Sequence, residues 1–245
     1  MNTRFETTAL DVVEGADLSG RRAIVTVGAS GIGVETVRAL AVAGAEVTIA
    51  ARDLDAAQRV AVELMVATGN KRISAARLDL ASQQSVKAFA RDWDGPLHLL
   101  VNNAEVRATP LTRTAEGWEL QFATNHLGHF ALTLGLFNSL RADGARVVNV
   151  SSSAHLKSDV VFDDLHFEHR EYDRWQAYGQ SKTANILFAI EAGKRWAAEG
   201  ITTTAVLPGS YRGLAPYAQD EESAALLWKV SEETLGVYDL QAALR

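Results

Sequence analysis

Apolar and polar positions alternate so as to break the chain into short β-branched runs and longer amphipathic stretches. Residues 22–27 (RAIVTV) read as a strand buried on both faces. Val34, Val37, Leu40 and Ala41 share one face of a helix predicted over 32–43, and Gly44 stops it. The same pattern predicts strands over 46–50, 72–78, 97–101, 145–150 and 202–207. Helices are predicted over 54–67, from a cap at Ser82 to about Trp93, and from about Trp175 to Glu199. The segment between the fourth and fifth strands reads as mostly helical. Strands alternating with helices at this spacing predict a single α/β domain, a doubly wound (Rossmann-like) parallel sheet flanked by helices. Residues 1–17 form an N-terminal extension to it. Ligands of such sheets bind at the carboxyl ends of the strands, so the residues just after each strand carry the chemistry.

Composition narrows the function. Among 245 residues, 30 are acidic and 24 basic, the net charge is −6, and no basic run occurs. Little could neutralise a phosphate backbone, which argues against nucleic-acid binding. The chain has no cysteine, so disulfides, thiolate metal sites and thiol nucleophiles are excluded. No window approaches the roughly 18 apolar residues of a membrane span, and the N-terminal residues lack the apolar core of a signal peptide. A cytoplasmic protein is expected.

After the first strand come Thr26, Val27, Gly28, Ala29, Ser30, Gly31, Ile32 and Gly33, opening a helix. A glycine-rich turn at a helix N-terminus suits a diphosphate, through free N–H groups and the positive dipole end. A tight strand–helix connection without a ligand is the alternative. Arg52 ends the second strand, where an arginine suits the 2′-phosphate of NADP; an acidic residue would suit NAD, and Asp53 is adjacent. NADP is favoured. Asp79 and Leu80 end the third strand, and Asp79 could accept from an adenine amino group or cap the turn before Ser82. Asn102, Asn103 and Ala104 end the fourth, where paired asparagines serve backbone or cofactor.

Ser151, Ser152 and Ser153 follow the fifth strand, and Tyr178 and Lys182 lie four apart on the last long helix, hence on one face. A phenol has a pKa near 10, and a neighbouring ammonium is expected to lower it. A serine hydroxyl could hold a substrate oxygen beside that phenol while Tyr178 moves the proton.

These motifs, in this order, resemble the short-chain dehydrogenase/reductase family over about 18–209. The run 150–155 (VSSSAH), then 162–167 (FDDLHF), then Tyr178 is similar to its retinol-dehydrogenase-like branch. The resemblance implies a tetrad: Asn125 anchoring a water relay, Ser152, Tyr178 as acid–base, and Lys182 on the nicotinamide ribose. Pro208 and Gly209 would lie beside the nicotinamide. It implies an alcohol or carbonyl substrate, and homo-oligomers through the helix carrying Ile186, Leu187, Ile190 and Trp196, unless that face packs within one subunit.

Three residues depart from the family pattern. Val27 stands where the family has glycine, Glu105 ends Asn-Asn-Ala-Glu in place of Asn-Asn-Ala-Gly, and Gly213 replaces a threonine. Glu105 is expected near the adenosine end, repelling phosphate unless it turns to water. The tail, 210–245, is altered or shortened on the substrate side. An active NADP-dependent oxidoreductase is one consequence; a binding or scaffolding module with an impaired cofactor cradle is the other.

Other features read more plainly. His166 and His169 fit a solvated loop better than a metal site. His126 and His129 are expected in packing. Trp175, Trp196 and Trp228 fill a pocket or the core, with Trp175 nearest Tyr178. Phe162, Phe167, Tyr172 and Tyr211 suggest an apolar substrate. Asp220, Glu221 and Glu222 read as the charged first turn of a helix.

Overall fold

In a computed structural model, residues 7–27, 31–209 and 213–237 are described. The β-branched runs form strands β1 (Arg22–Thr26), β2 (Glu46–Ala51), β3 (Ile73–Arg77), β4 (Leu99–Asn102), β5 (Ala145–Val150) and β6 (Ile201–Val206). They pair in parallel in the order β3-β2-β1-β4-β5-β6. The order reverses between β1 and β4, so a crevice opens at their carboxyl ends.

The chain begins with the short helix α1 (Ala9–Val12). Helices α2 (Gly31–Val42) and α3 (Leu54–Thr68) cover one face, with Val37, Ala57, Ala61 and Leu64 packed on Val25, Val47 and Ile49. Helix α4 (Gln83–Asp92) starts at Ser82, whose hydroxyl accepts from the Ser85 N–H. The following helical stretch is less regular. It runs as α5 (Leu120–Phe122), a π-helical turn (Ala123–Leu127), α6 (Gly128–Gly135) and α7 (Phe137–Arg141). A π turn widens the backbone ring and recurs at functional sites; here it carries Asn125.

The long helix α8 (Arg174–Trp196) is buried along most of its first half, including Tyr178 and Lys182. Gly179 allows this approach: a Cβ there would stand 2.7 Å from the Ala154 carbonyl oxygen. Helix α9 (Glu221–Leu235) is capped by Asp220, with Glu221 and Glu222 in its first turn as the charge pattern predicts. Its Trp228 meets Trp196, Phe130 and Phe188. Leu187 and Trp196 are buried in this cluster, and Ile186 is buried against Ala215 and Ala218. Gly236 caps α9 in the left-handed region. No helix among the described residues is long and apolar enough to cross a membrane.

Candidate active site

Two cavities open at the strand ends. One, about 340 Å³, lies beyond the ends of β2, β3 and β4 and is lined by Arg52, Asp79, Leu80 and Ala104 among others. The other, about 390 Å³, is lined by Gly31, Ile32, Ser152, Tyr178 and Pro208 among others. Val27 and Glu105 line both and so stand at their junction. The predicted site residues thus fall largely around one continuous crevice. Gly28, Ser30 and Tyr211 lie outside the described residues.

Three predicted cofactor contacts sit beneath the surface instead. Thr26 is fully buried, and its hydroxyl accepts from the backbone N–H groups of Asn103 and Ala104. The side-chain amide of Asn102 donates to Thr133 and Asn149, also in the interior. Gly33 is buried inside α2. Thr26 thus holds the turn after β4, and Asn102 ties β4 to α6 and β5. Asn103 holds the turn after β1, donating to the carbonyls of Thr26 and Val27.

The Thr26 hydroxyl also lies 2.9 Å from His129 Nε2. His129 Nδ1 faces the Asn125 carbonyl oxygen, which can only accept, so Nδ1 carries the proton and Thr26 donates to Nε2. Burial keeps this imidazole neutral, with its pKa lowered to about 4. His129 thereby ties β1 to the π turn. The sequence placed this histidine only in packing.

Asn125 is fully buried and spends its whole amide on two neighbours. Its oxygen accepts from the Val106 N–H, and its Nδ2 donates to the Val106 carbonyl and to Ser181 Oγ. It therefore clamps the loop after β4 onto α8. Ser152 stands at the end of β5, its backbone carbonyl held by His155 Nδ1. His155 Nε2 in turn accepts from the Ala215 N–H, binding the segment after β6 to the Ser152 turn. In the sequence His155 stands only as the last residue of the run 150–155, with no role assigned to it.

Tyr178 and Lys182 do share a face, but their partner is Glu105. The phenol donates to Glu105 Oε2 at 2.9 Å, and Lys182 Nζ reaches the same oxygen at 2.6 Å. Lys182 is fully buried and also donates to the Val150 carbonyl. Two expectations are corrected here. Glu105 belongs to the catalytic end of the crevice as much as to the adenosine end, because its side chain finds a buried cation there. The Tyr178 pKa is raised, not lowered: burial and the Glu105 carboxylate both favour the neutral phenol, opposed by Ser152 and Arg107. The ammonium sits 5.5 Å from the ring centroid and its charge faces the carboxylate. Burial lowers the Lys182 pKa, and Glu105 counters that.

Val27 adopts φ = 51°, in the left-handed region, which costs a β-branched residue roughly 1–2 kcal/mol. Val27→Gly relieves this strain but loses packing and gains about 0.5–1 kcal/mol of chain entropy to fix. Stability is expected to stay within about 1 kcal/mol of the parent in urea unfolding, whereas Val25→Gly, fully buried in β1, should cost several times more.

The residues fit NADP unevenly. At the adenosine end Asp53 is committed to capping α3, accepting from the Ala56 N–H. Arg52 is exposed and has no bonded partner among the described residues, so its guanidinium is free for a 2′-phosphate. At the other end, the groups that would hold the nicotinamide ribose are already bonded to Glu105.

The family model for short chain dehydrogenase matches residues 21–215. A probable oxidoreductase of Streptomyces antibioticus is 57% identical over 196 residues, covering 79% of this chain and 65% of the relative. The chain thus spans less than two thirds of that relative's length. Human retinol dehydrogenase 12 is 42% identical over 217 residues, covering 87% of this chain and 68% of the relative. Among solved structures, an uncharacterised protein from Mycobacterium paratuberculosis superposes with a TM-score of 0.83 at 31% identity, covering 94% of this chain and 97% of the other. The NADP active-site complex of Pseudomonas aeruginosa RhlG gives 0.62 at 29% identity, covering 91% and 93%.

Proposed function

We propose that this chain, which belongs to the short chain dehydrogenase family, interconverts an alcohol and a carbonyl on a lipophilic small molecule, with NADP as its cofactor. One observation carries the reading: the Tyr178 phenol and Ser152 line the same cavity at the sheet's carboxyl edge, with Lys182 and Asn125 packed behind. When bound, the nicotinamide supplies or accepts the hydride. The Ser152 hydroxyl holds the substrate oxygen, and Tyr178 gives its proton to that oxygen in reduction. In the ligand-free chain burial and the Glu105 carboxylate raise the phenol pKa, so Tyr178 holds its proton there. Asn125 holds the loop after β4 and Ser181 in register around the pair.

The choice of NADP rests on the free Arg52 guanidinium, and is supported by the NADP complex of the RhlG structure. The lipophilic substrate rests on Trp175, partly exposed and packed on Tyr178, and is supported by similarity to retinol dehydrogenases.

Titration with NADPH tests the cofactor reading. Binding must raise the melting temperature, since only the folded chain holds the ligand; no shift at millimolar NADPH would end it. Arg52→Ala should weaken NADPH binding by about tenfold, the worth of one charge-assisted contact, and leave NADH binding unchanged in calorimetry.

A further inference from the structure

Among the described residues, Glu105 is the one charged group that touches both members of the proton-transferring pair. Its backbone has little freedom, because Asn125 bonds both the N–H and the carbonyl of the next residue, Val106. Its side chain does have freedom: it is 35% exposed and borders both cavities. A carboxylate bonded at 2.6 Å to a fully buried ammonium is a strong local contact. A ligand that needs that ammonium or the phenol must first turn the carboxylate away.

We propose that Glu105 is a positioning residue that clamps Lys182 and Tyr178 in the ligand-free chain, and that dinucleotide affinity is set by its displacement. The inference rests on the cofactor reading above. A clamp of this kind leaves only a fraction of molecules competent, and apparent affinity falls by that fraction. The penalty belongs to the nicotinamide half alone. A ligand filling only the adenosine cleft leaves the Lys182 and Tyr178 contacts intact.

The groups facing the phenol are few. Glu105 and Arg107 come from the loop after β4, Ser152 from the end of β5, and Lys182 from the same helix, with neutral His129 behind Lys182. Removing the Glu105 charge leaves the Lys182 ammonium and Arg107 acting on the phenol without opposition from a carboxylate.

The test compares NADPH with 2′,5′-ADP, which carries only the adenosine half, on the parent chain, Glu105→Gln and Glu105→Gly. Calorimetry gives both dissociation constants, and melting temperature checks the fold. The ratio of NADPH to 2′,5′-ADP affinity is expected to rise about tenfold or more in both variants. A second readout needs no cofactor: in protein labelled at the tyrosine ring carbon, Tyr178 should form phenolate at lower pH in Glu105→Gln than in the parent. An unchanged affinity ratio in two folded variants, with 2′,5′-ADP still binding, overturns the clamp and leaves the cofactor reading standing. If neither ligand binds any of the three proteins, the cofactor reading falls and the clamp with it.

Discussion

Tyr178→Phe is expected to lower carbonyl reduction by about three orders of magnitude, the middle of the range that a positioned proton donor contributes. The change removes one oxygen and nothing else of size. The ring stays buried at 3% exposure, against Trp175. Glu105 loses one donor but keeps Lys182, and its partial exposure lets water replace the phenol, so no buried acceptor is orphaned. Melting temperature should therefore stay close to that of the parent chain, and NADPH affinity should not fall, since Glu105 has one contact fewer to give up. The measurement is NADPH consumption with an aliphatic or polyene aldehyde, beside calorimetric NADPH binding on the same preparation. Retained reduction by a folded, NADPH-binding variant would remove Tyr178 from the chemistry. Ser152→Ala should cost less, since it orients the substrate oxygen but transfers no proton.

The fold was legible because its signals are local and repeated. The runs at 22–27, 46–50 and 145–150 predict strands observed at Arg22–Thr26, Glu46–Ala51 and Ala145–Val150. Ser82 and Gly44 marked a helix start and a helix end by backbone chemistry that any sequence displays. The Tyr178–Lys182 pair was legible for the same reason, because four residues on a helix fix a shared face.

What the sequence concealed depends on contacts between distant segments. Glu105 lies 73 residues before the tyrosine it touches, and its loop shows no periodicity that would aim its side chain. Read alone, it was an anion near phosphates; in the fold, the buried ammonium of Lys182 attracts it. The π turn was hidden too, since an extra residue in a helical ring leaves no mark on an apolar pattern. Thr26 and Asn102 occupy strand ends, where ligands bind, but their side chains point into the interior: Thr26 holds the turn after β4, and Asn102 ties β4 to α6 and β5.

Trp228→Ala is expected to destabilise the chain by about 3–5 kcal/mol, as for a large aromatic deleted from a packed core. Trp228 is 2% exposed. Its ring meets Phe130 at 4.9 Å and Trp196 at 5.3 Å, and Arg195 lies over it at 4.6 Å. The indole N–H has no hydrogen-bond partner among the described residues, so ring contacts rather than a hydrogen bond are at stake and Trp228→Phe should be far milder. The loss reaches toward the site, because α9 also supplies Ser231, which bonds His126 in the π turn beside Asn125. A tryptophan lining a substrate pocket would behave otherwise: its removal would raise KM while leaving the unfolding midpoint in place. Urea unfolding and steady-state kinetics on Trp228→Ala therefore separate the two roles, and a lowered midpoint with KM unchanged in the remaining folded protein is the outcome that this packing requires.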